Sequence, residues 1–232
     1  MDTSPIVEWH NLVGGKFIAK VNRFAAYVDV SGVLYYVHVP NPTPAAELLR
    51  PGADVLMTVL PPSHKTKFRL IAANTGDLWA TLDTAIPNVV FREGIRRSLF
   101  AEFTGRTVLK EGVRLGNSLI DFLLSGLRPC YVEIKSCTLV RDGTALFPDA
   151  VTERGRRHLR ELEGAVKSGA ESHMVWIVQR PDADDLMPYK ERDPQFAAEM
   201  IRARDMGVGF LAYRCSFDGQ SLRLQGRLPV IT

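Results

Sequence analysis

Asp121 and the Glu133-Ile134-Lys135 triplet beyond it constrain this chain more than any other feature. One carboxylate sits inside the apolar run Leu119-Ile120-Asp121-Phe122-Leu123-Leu124. Ser125-Gly126 and Arg128-Pro129 supply a tight turn, and Cys130-Tyr131-Val132-Glu133-Ile134-Lys135 carries the other two charges. The pattern predicts two neighbouring strands, with Pro129 at a strand start, where a missing donor is tolerated. Side chains alternate along a strand, so Glu133 and Lys135 share one face while Val132, Ile134 and Ser136 take the other. Charge held among apolar strands is costly unless compensated, and a divalent cation is one way to compensate it. Asp121 and Glu133 offer hard oxygen ligands of the kind Mg²⁺ or Mn²⁺ takes alongside waters and phosphate oxygens. Lys135 would then orient an attacking water or neutralise charge developing on phosphorus. The bland reading is a set of strand-edge charges, which chance also produces.

With 232 residues, 46% apolar and 24% charged, the chain can bury the core of one or two domains. Between about residues 15 and 79, short β-type runs alternate with turns. Residues 16–30 read as a strand, Ser31-Gly32 as a hairpin turn, and 33–39 as the return strand, broken by Pro40-Asn41-Pro42. Residues 55–60 and 68–73 are further strands, separated by Pro61-Pro62-Ser63 and a basic loop with His64, Lys65, Lys67 and Arg69. This count fits a small barrel of the five-stranded oligonucleotide-binding type.

The pattern changes at residues 84–88. Residues 89–103 look helical, with Val90, Ile95, Leu99 and Phe103 near one face and Arg92, Arg96 and Arg97 on the other. A strand near 113–115, a Gly116-Asn117 turn, the two charged strands and an Asp142-Gly143 turn follow. Asp149 or Thr152 caps a helix running to about residue 168. Then come a buried strand at 174–179, a helix at 195–206 stopped by Gly207, a strand at 208–213 and a closing run at 221–230. The expected fold is α+β: a small OB-fold-like nucleic-acid-binding barrel over 1–83, then an α/β endonuclease-like domain with a mixed sheet over 84–232.

Net charge is only +3, so affinity for a polyanion must come from local patches. Cys130, Cys137 and Cys215 lack paired metal-site spacing and read as reduced core residues. No apolar run reaches the length of a membrane span and no secretory leader is evident, so the expected location is the cytoplasm, with no membrane partner.

Three strings carry a resemblance: Gly116-Asn117-Ser118-Leu119-Ile120-Asp121-Phe122-Leu123-Leu124, then Val132-Glu133-Ile134-Lys135-Ser136-Cys137-Thr138-Leu139, then Phe147-Pro148-Asp149-Ala150-Val151-Thr152-Glu153-Arg154-Gly155-Arg156-Arg157-His158-Leu159-Arg160-Glu161-Leu162. With these the chain resembles the sugar fermentation stimulation protein A family, strongly over about residues 85–230. The resemblance implies a DNA-binding protein with an N-terminal oligonucleotide-binding barrel and a C-terminal PD-(D/E)XK restriction-endonuclease-like domain, in a family linked to sugar-utilisation regulation. Two departures stand out. Val39-Pro40-Asn41-Pro42-Thr43-Pro44 replaces a family C-P-N-T-G string, and Leu119 replaces an arginine two residues before Asp121, removing a plausible phosphate clamp.

Asp121, Glu133 and Lys135 match the catalytic core that the resemblance implies. Folds of this kind often take a third metal carboxylate from the first helix, and Glu93 is the choice, ahead of Glu102; Glu111 reads as a surface residue. Arg154 and His158 lie four apart on one helix face with Arg157 beside them, placed to hold a DNA phosphate; a satisfied core histidine is the alternative reading of His158. Lys16, Lys20 and Arg23 interleave with Phe17, Phe24 and Tyr27, as in a single-strand stacking platform or a filled barrel core. Lys65, Lys67 and Arg69 would add nonspecific phosphate contacts.

The expected function is a Mg²⁺- or Mn²⁺-dependent deoxyribonuclease binding DNA without sequence preference, since no helix-turn-helix or zinc finger is visible. The alternative is a non-catalytic DNA-binding regulator of sugar-utilisation genes that keeps the architecture. Homodimers are common among such nucleases, but the sequence carries no interface signature.

Overall fold

A computed structural model describes residues 4–43 and 45–232, so Pro44 of the proline-rich departure lies outside the described residues. After a short β1 (Val7–Glu8), the chain forms β2 (Val13–Asn22), β3 (Ala25–Val30) and β4 (Val33–His38) as an antiparallel meander. β5 (Asp54–Val59) pairs with β2 and β6 (Phe68–Asn74) pairs with β5. A parallel bridge between His38 and Arg69 then joins β4 to β6 and closes the ring. That order, with a parallel closure, is a small barrel of the OB type. Strand alternation sends Phe17, Val28, Val37, Val55, Met57 and Leu70 inside.

The run at 16–30 is two strands rather than one. The Asn22 carboxamide oxygen accepts the Phe24 N–H at 2.9 Å and turns the chain at Arg23 without a glycine. At the next turn, Ser31 and Gly32 have φ of 54° and 84°, the left-handed pair a two-residue hairpin needs.

β7 (Trp79–Thr81) pairs with β6 and carries the barrel sheet into the second domain. There α1 (Ile86–Arg96) leads to β8 (Val108–Leu115), β9 (Ser118–Leu124), β10 (Cys130–Cys137), β11 (Val140–Arg141) and β12 (Thr144–Phe147). α2 (Glu153–Lys167), β13 (Glu171–Val178), β14 (Asp185–Pro188), α3 (Pro194–Asp205), β15 (Gly209–Phe217) and β16 (Ser221–Leu228) complete the chain. β8, β9 and β10 are antiparallel neighbours, β10, β13 and β15 run parallel, and β16 returns antiparallel, giving a mixed sheet. β7 meets β15 at Trp79 and Phe217, so the two domains share one sheet.

The first helix differs from the sequence expectation at both ends. Pro87 sits in its first turn, where a missing N–H costs nothing, so the helix starts at Ile86. It stops at Arg96, Ser98 takes φ 54°, and the chain doubles back so that the Phe100 ring packs directly on Gly94. Phe100 and Phe103 thus join Phe91 and Phe122 in one aromatic cluster under the sheet. Burying a ring such as Phe91 contributes on the order of 1.5–3 kcal/mol, which fixes α1 on this face. α2 and α3 cover the other face through Leu159, Leu162 and Met200 against Met174 and Trp176. Thr152, not Asp149, caps α2: its hydroxyl accepts the Gly155 N–H at 3.0 Å.

Candidate functional site

The two charged strands are β9 and β10, as their apolar runs require. Their ladder pairs Cys130 with Leu124, Tyr131 with Leu123 and Val132 with Phe122, and ends there. Asp121 and Glu133 are the first residues beyond its end. In place of a backbone carbonyl of β9, the Asp121 carboxylate takes the Ile134 N–H, at 2.8 Å. β9 also turns over at this point: Phe122 packs in the core beneath α1, whereas Ile120, two residues away, packs in the core beneath α2. Asp121 therefore lies at the seam where the strands separate, and the backbone itself opens the notch.

Alternation on β10 places Val132 and Ile134 in the α1-side core and Glu133 with Lys135 on the α2 side. Glu133 is 2% exposed. Its Oε1 accepts Lys135 Nζ at 2.6 Å and also bonds His158 Nδ1, from α2. Arg154 Nε donates to His158 Nε2 at 3.2 Å. With Nε2 accepting, hydrogen bonding assigns the ring proton to Nδ1, where it is donated to Glu133. Nδ1 cannot also accept from Lys135, so the 3.3 Å approach of Lys135 Nζ to Nδ1 is a contact between two donors.

The two carboxylates are driven in opposite directions. Burial pushes the Asp121 carboxyl up, and the Glu133 charge pushes it further, against the hydrogen bonds from Ile134 and Asn88. Burial would raise Glu133 too, but Lys135 and the His158 hydrogen bond outweigh it and hold Glu133 below the usual carboxylate range. Glu133 Oε2 is buried with no hydrogen-bond partner among the described residues. An unsatisfied carboxylate oxygen beside a second carboxylate that resists ionising fits a divalent oxygen-ligated cation.

Glu93 does not join this pair. Its carboxylate bonds Arg96 on its own helix at 2.8 Å, and Asn88 is the α1 residue that reaches Asp121, with Nδ2 to Oδ1 at 3.1 Å. Five residues turn a helix by about 140° beyond a full turn, so Asn88 and Glu93 cannot both face Asp121. Sequence reasoning does not single out Asn88. The signal available is its place one residue after a helix-starting proline, opposite a strand acid.

The residues expected to hold DNA divide. Arg154 and Arg157 are exposed, and Arg157 Nε reaches Ser118 Oγ at 3.3 Å. His158 is 1% exposed with both ring nitrogens engaged, so it positions Glu133 and is not open to a phosphate. Arg69 is not on a loop: it lies on β6 and pairs with the buried Asp83 at 2.6 Å, at the joint between the domains. Lys16 pairs with Asp54 at 2.7 Å. Lys20 gives its ammonium to the carbonyls of Thr43 and Asn41, and burial lowers its pKa. Arg23 stacks on Phe24, and Lys67 lies over the Tyr35 and Phe68 rings. Phe17 fills the barrel core, whereas Phe24 and Tyr27 are 51% and 39% exposed.

A second group of ligating side chains, Cys130, Glu171 and His173, gathers on the other face of β10 and β13, with ligand atoms within 4.8 Å of one another. Arg106 already bonds Glu171 there at 2.5 Å, and burial pushes the Cys130 thiol up to about 11. His173 Nδ1 is buried there without a hydrogen-bond partner among the described residues, as Glu133 Oε2 is at the notch; the notch differs in offering two carboxylates.

Comparison with known proteins agrees along the whole molecule. Residues 18–82 match the SfsA N-terminal OB domain, and residues 85–221 match the sugar fermentation stimulation protein RE domain. A sugar fermentation stimulation protein homolog of Caldanaerobacter subterraneus subsp. tengcongensis is 39% identical over 222 residues, covering 95% of this chain and 97% of the relative. The homolog of Geobacter sulfurreducens is 37% identical over 223 residues, with 95% and 96% covered. The structure of Pyrococcus furiosus SfsA in complex with Ca²⁺ superposes with a TM-score of 0.92 at 27% identity, over 99% of this chain and 100% of that one. Both domains, the motif strings that carry the resemblance and the full-length relatives agree: the chain belongs to the sugar fermentation stimulation protein family.

Proposed function

We propose that the protein is a divalent-metal-dependent deoxyribonuclease that binds DNA without sequence preference in the cytoplasm, where its three buried thiols would stay reduced. One observation carries the reading: Asp121 and Glu133 sit where the two strands separate, with Glu133 Oε2 unpartnered among the described residues and Lys135 bonded to the same carboxylate. A structural ion pair would need neither the second carboxylate nor the free oxygen. Asp121 and Glu133 would hold Mg²⁺ or Mn²⁺, and the related Pyrococcus furiosus protein was solved with Ca²⁺, an ion of the same oxygen-seeking class. When bound, such an ion supplies Lewis acidity toward a phosphoryl oxygen and a more acidic water.

The chain's own residues do the rest. Lys135, held by Glu133, presents its remaining N–H donors to the phosphoryl oxygens, where negative charge grows as water adds to phosphorus. One P–O bond forms as the attacking water gives up a proton to solvent, one breaks, and the departing oxygen takes a proton from solvent. His158 is a positioning residue: it fixes Glu133, and Arg154 fixes its tautomer. Arg154 and Arg157 hold neighbouring phosphates.

The test is incubation of purified protein with single-stranded, duplex and branched DNA, with Mg²⁺, Mn²⁺ or chelator. Metal-dependent cleavage that falls about 10²–10³-fold in Lys135→Ala, the usual cost of one transition-state donor, supports the enzyme. Tight binding with no cleavage under any condition supports the regulator instead.

A further inference from the structure

A cavity of about 610 Å³ lies between the two domains. The barrel contributes Arg23 and Thr43; the second domain contributes Ser136, Phe147, Val151 and Arg154. We propose that this cleft receives the single-stranded end of a DNA chain and leads it to the Asp121–Glu133 pair, which makes strand ends and flaps, rather than paired duplex, the substrate class. The inference rests on the nuclease reading of that pair.

Four observations support it. The volume falls in the range of pockets that enclose a small ligand, on the order of 300–1,000 Å³, which suits a nucleotide or two and not a paired helix. The lining joins two chemistries that an unpaired nucleotide needs together, guanidinium groups of Arg23 and Arg154 for phosphate, which outnumber the one carboxylate, Asp149, and apolar surface from Phe147 and Val151 for an exposed base face. Neither guanidinium has a carboxylate partner among the described residues; Arg23 lies over Phe24, 5.5 Å from the ring centre, and Arg154 bonds only His158. The cleft adjoins the notch through Arg154, which lines it and bonds His158, the partner of Glu133.

The walls are held at a set separation. Thr81 donates to Gln179 at 2.8 Å, Gln179 to Ser136 at 2.8 Å, and Arg141 pairs with Glu47 at 3.2 Å, each tying one domain to the other or to the cleft floor. A duplex has its base faces covered by stacking and could use only the outer rim.

The experiment measures binding and cleavage separately. Fluorescence anisotropy at low salt with chelator compares a short single-stranded oligodeoxynucleotide, its RNA counterpart and a blunt hairpin duplex, for the native chain, for Ala150→Trp, which adds bulk at a residue that also lines the cleft, and for Arg154→Ala. Single-stranded DNA should bind more tightly than the duplex, and each variant should weaken it by about tenfold or more, the scale of one lost stacked base. A thermal melt identifies a misfolded Ala150→Trp, in which case Arg154→Ala and Arg23→Ala decide. Equal affinity for duplex and single strand, or single-strand affinity unchanged in the folded variants, overturns the proposal; tighter RNA binding overturns the DNA assignment. With Mn²⁺ added, cleavage restricted to ends supports it. Absence of cleavage with the binding pattern intact counts against the nuclease reading alone.

Discussion

The notch between β9 and β10 and the surface of the barrel both carry charge, but they treat it differently. At the notch, Glu133, Lys135 and His158 are withdrawn from water and bonded to one another, so each group's state depends on its neighbours. On the barrel, Lys16 and Asp54 are each more than half exposed, and Lys67 rests over rings at the surface. A buried pair broken on one side costs about 3–5 kcal/mol, whereas an exposed pair is worth about 0–1 kcal/mol. Clustered basic residues alone therefore say little about chemistry. What marks the notch is that its charges are incompletely satisfied where satisfaction matters most.

The largest effect that separates the regions is on folding stability. Glu133→Gln leaves Lys135 without its counter-charge, and chemical denaturation near neutral pH should show a loss of about 3–5 kcal/mol. Because Glu133 titrates below its unfolded value, its contribution is present above the ordinary carboxylate range and disappears as pH falls through the depressed folded value. The gap between native and variant should close in acid. A pH-independent gap would place the effect in packing instead.

Asp121 should behave in the opposite sense. Its carboxyl titrates above its unfolded value, so the folded state is favoured below the ordinary carboxylate range and loses that advantage as pH rises through the elevated folded value. Asp121→Asn removes a charge that the fold resists while Asn88 can rotate its amide to keep a hydrogen bond. Thermal melts at neutral pH should rise in the variant by several degrees, while cleavage is lost, a trade of stability for function. A lower melting point would show that the Asp121 charge is structural.

The smallest effects belong to the barrel. Lys65→Ala and Lys67→Ala should each weaken DNA binding modestly and reduce the salt slope of log affinity by about 0.7–0.9, as for one released phosphate contact. Lys16→Ala should do less, because Asp54 already neutralises Lys16. A large, salt-independent loss at any of them would mean that the barrel charges are as tightly engaged by their neighbours as those of the notch.

Features fixed by alternation or local turn chemistry are legible in the sequence, and those made by distant packing are not. Glu133 and Lys135 on one face, the Asp142-Gly143 hairpin turn and the α3 stop at Gly207 follow from rules that act within a few residues. The turn at Arg23 escapes those rules because it relies on the Asn22 side chain rather than on glycine or proline. The early end of α1 depends on Phe100 folding back over Gly94, a contact that the 3.6-residue pattern cannot reveal. Asn88 in place of Glu93, His158 as a partner of Glu133, and Arg69 turned in toward Asp83 are all pairings between elements far apart in sequence. Charge is visible in each; direction is not.

Calorimetric titration with Mn²⁺ tests most directly whether Asp121 and Glu133 share an ion. The native chain should bind one ion, Asp121→Asn and Glu133→Gln should each abolish that binding, and Cys130→Ser should leave it intact. Binding unchanged in both carboxylate variants but lost in Cys130→Ser would assign the ion to the other face of the sheet and contradict the account.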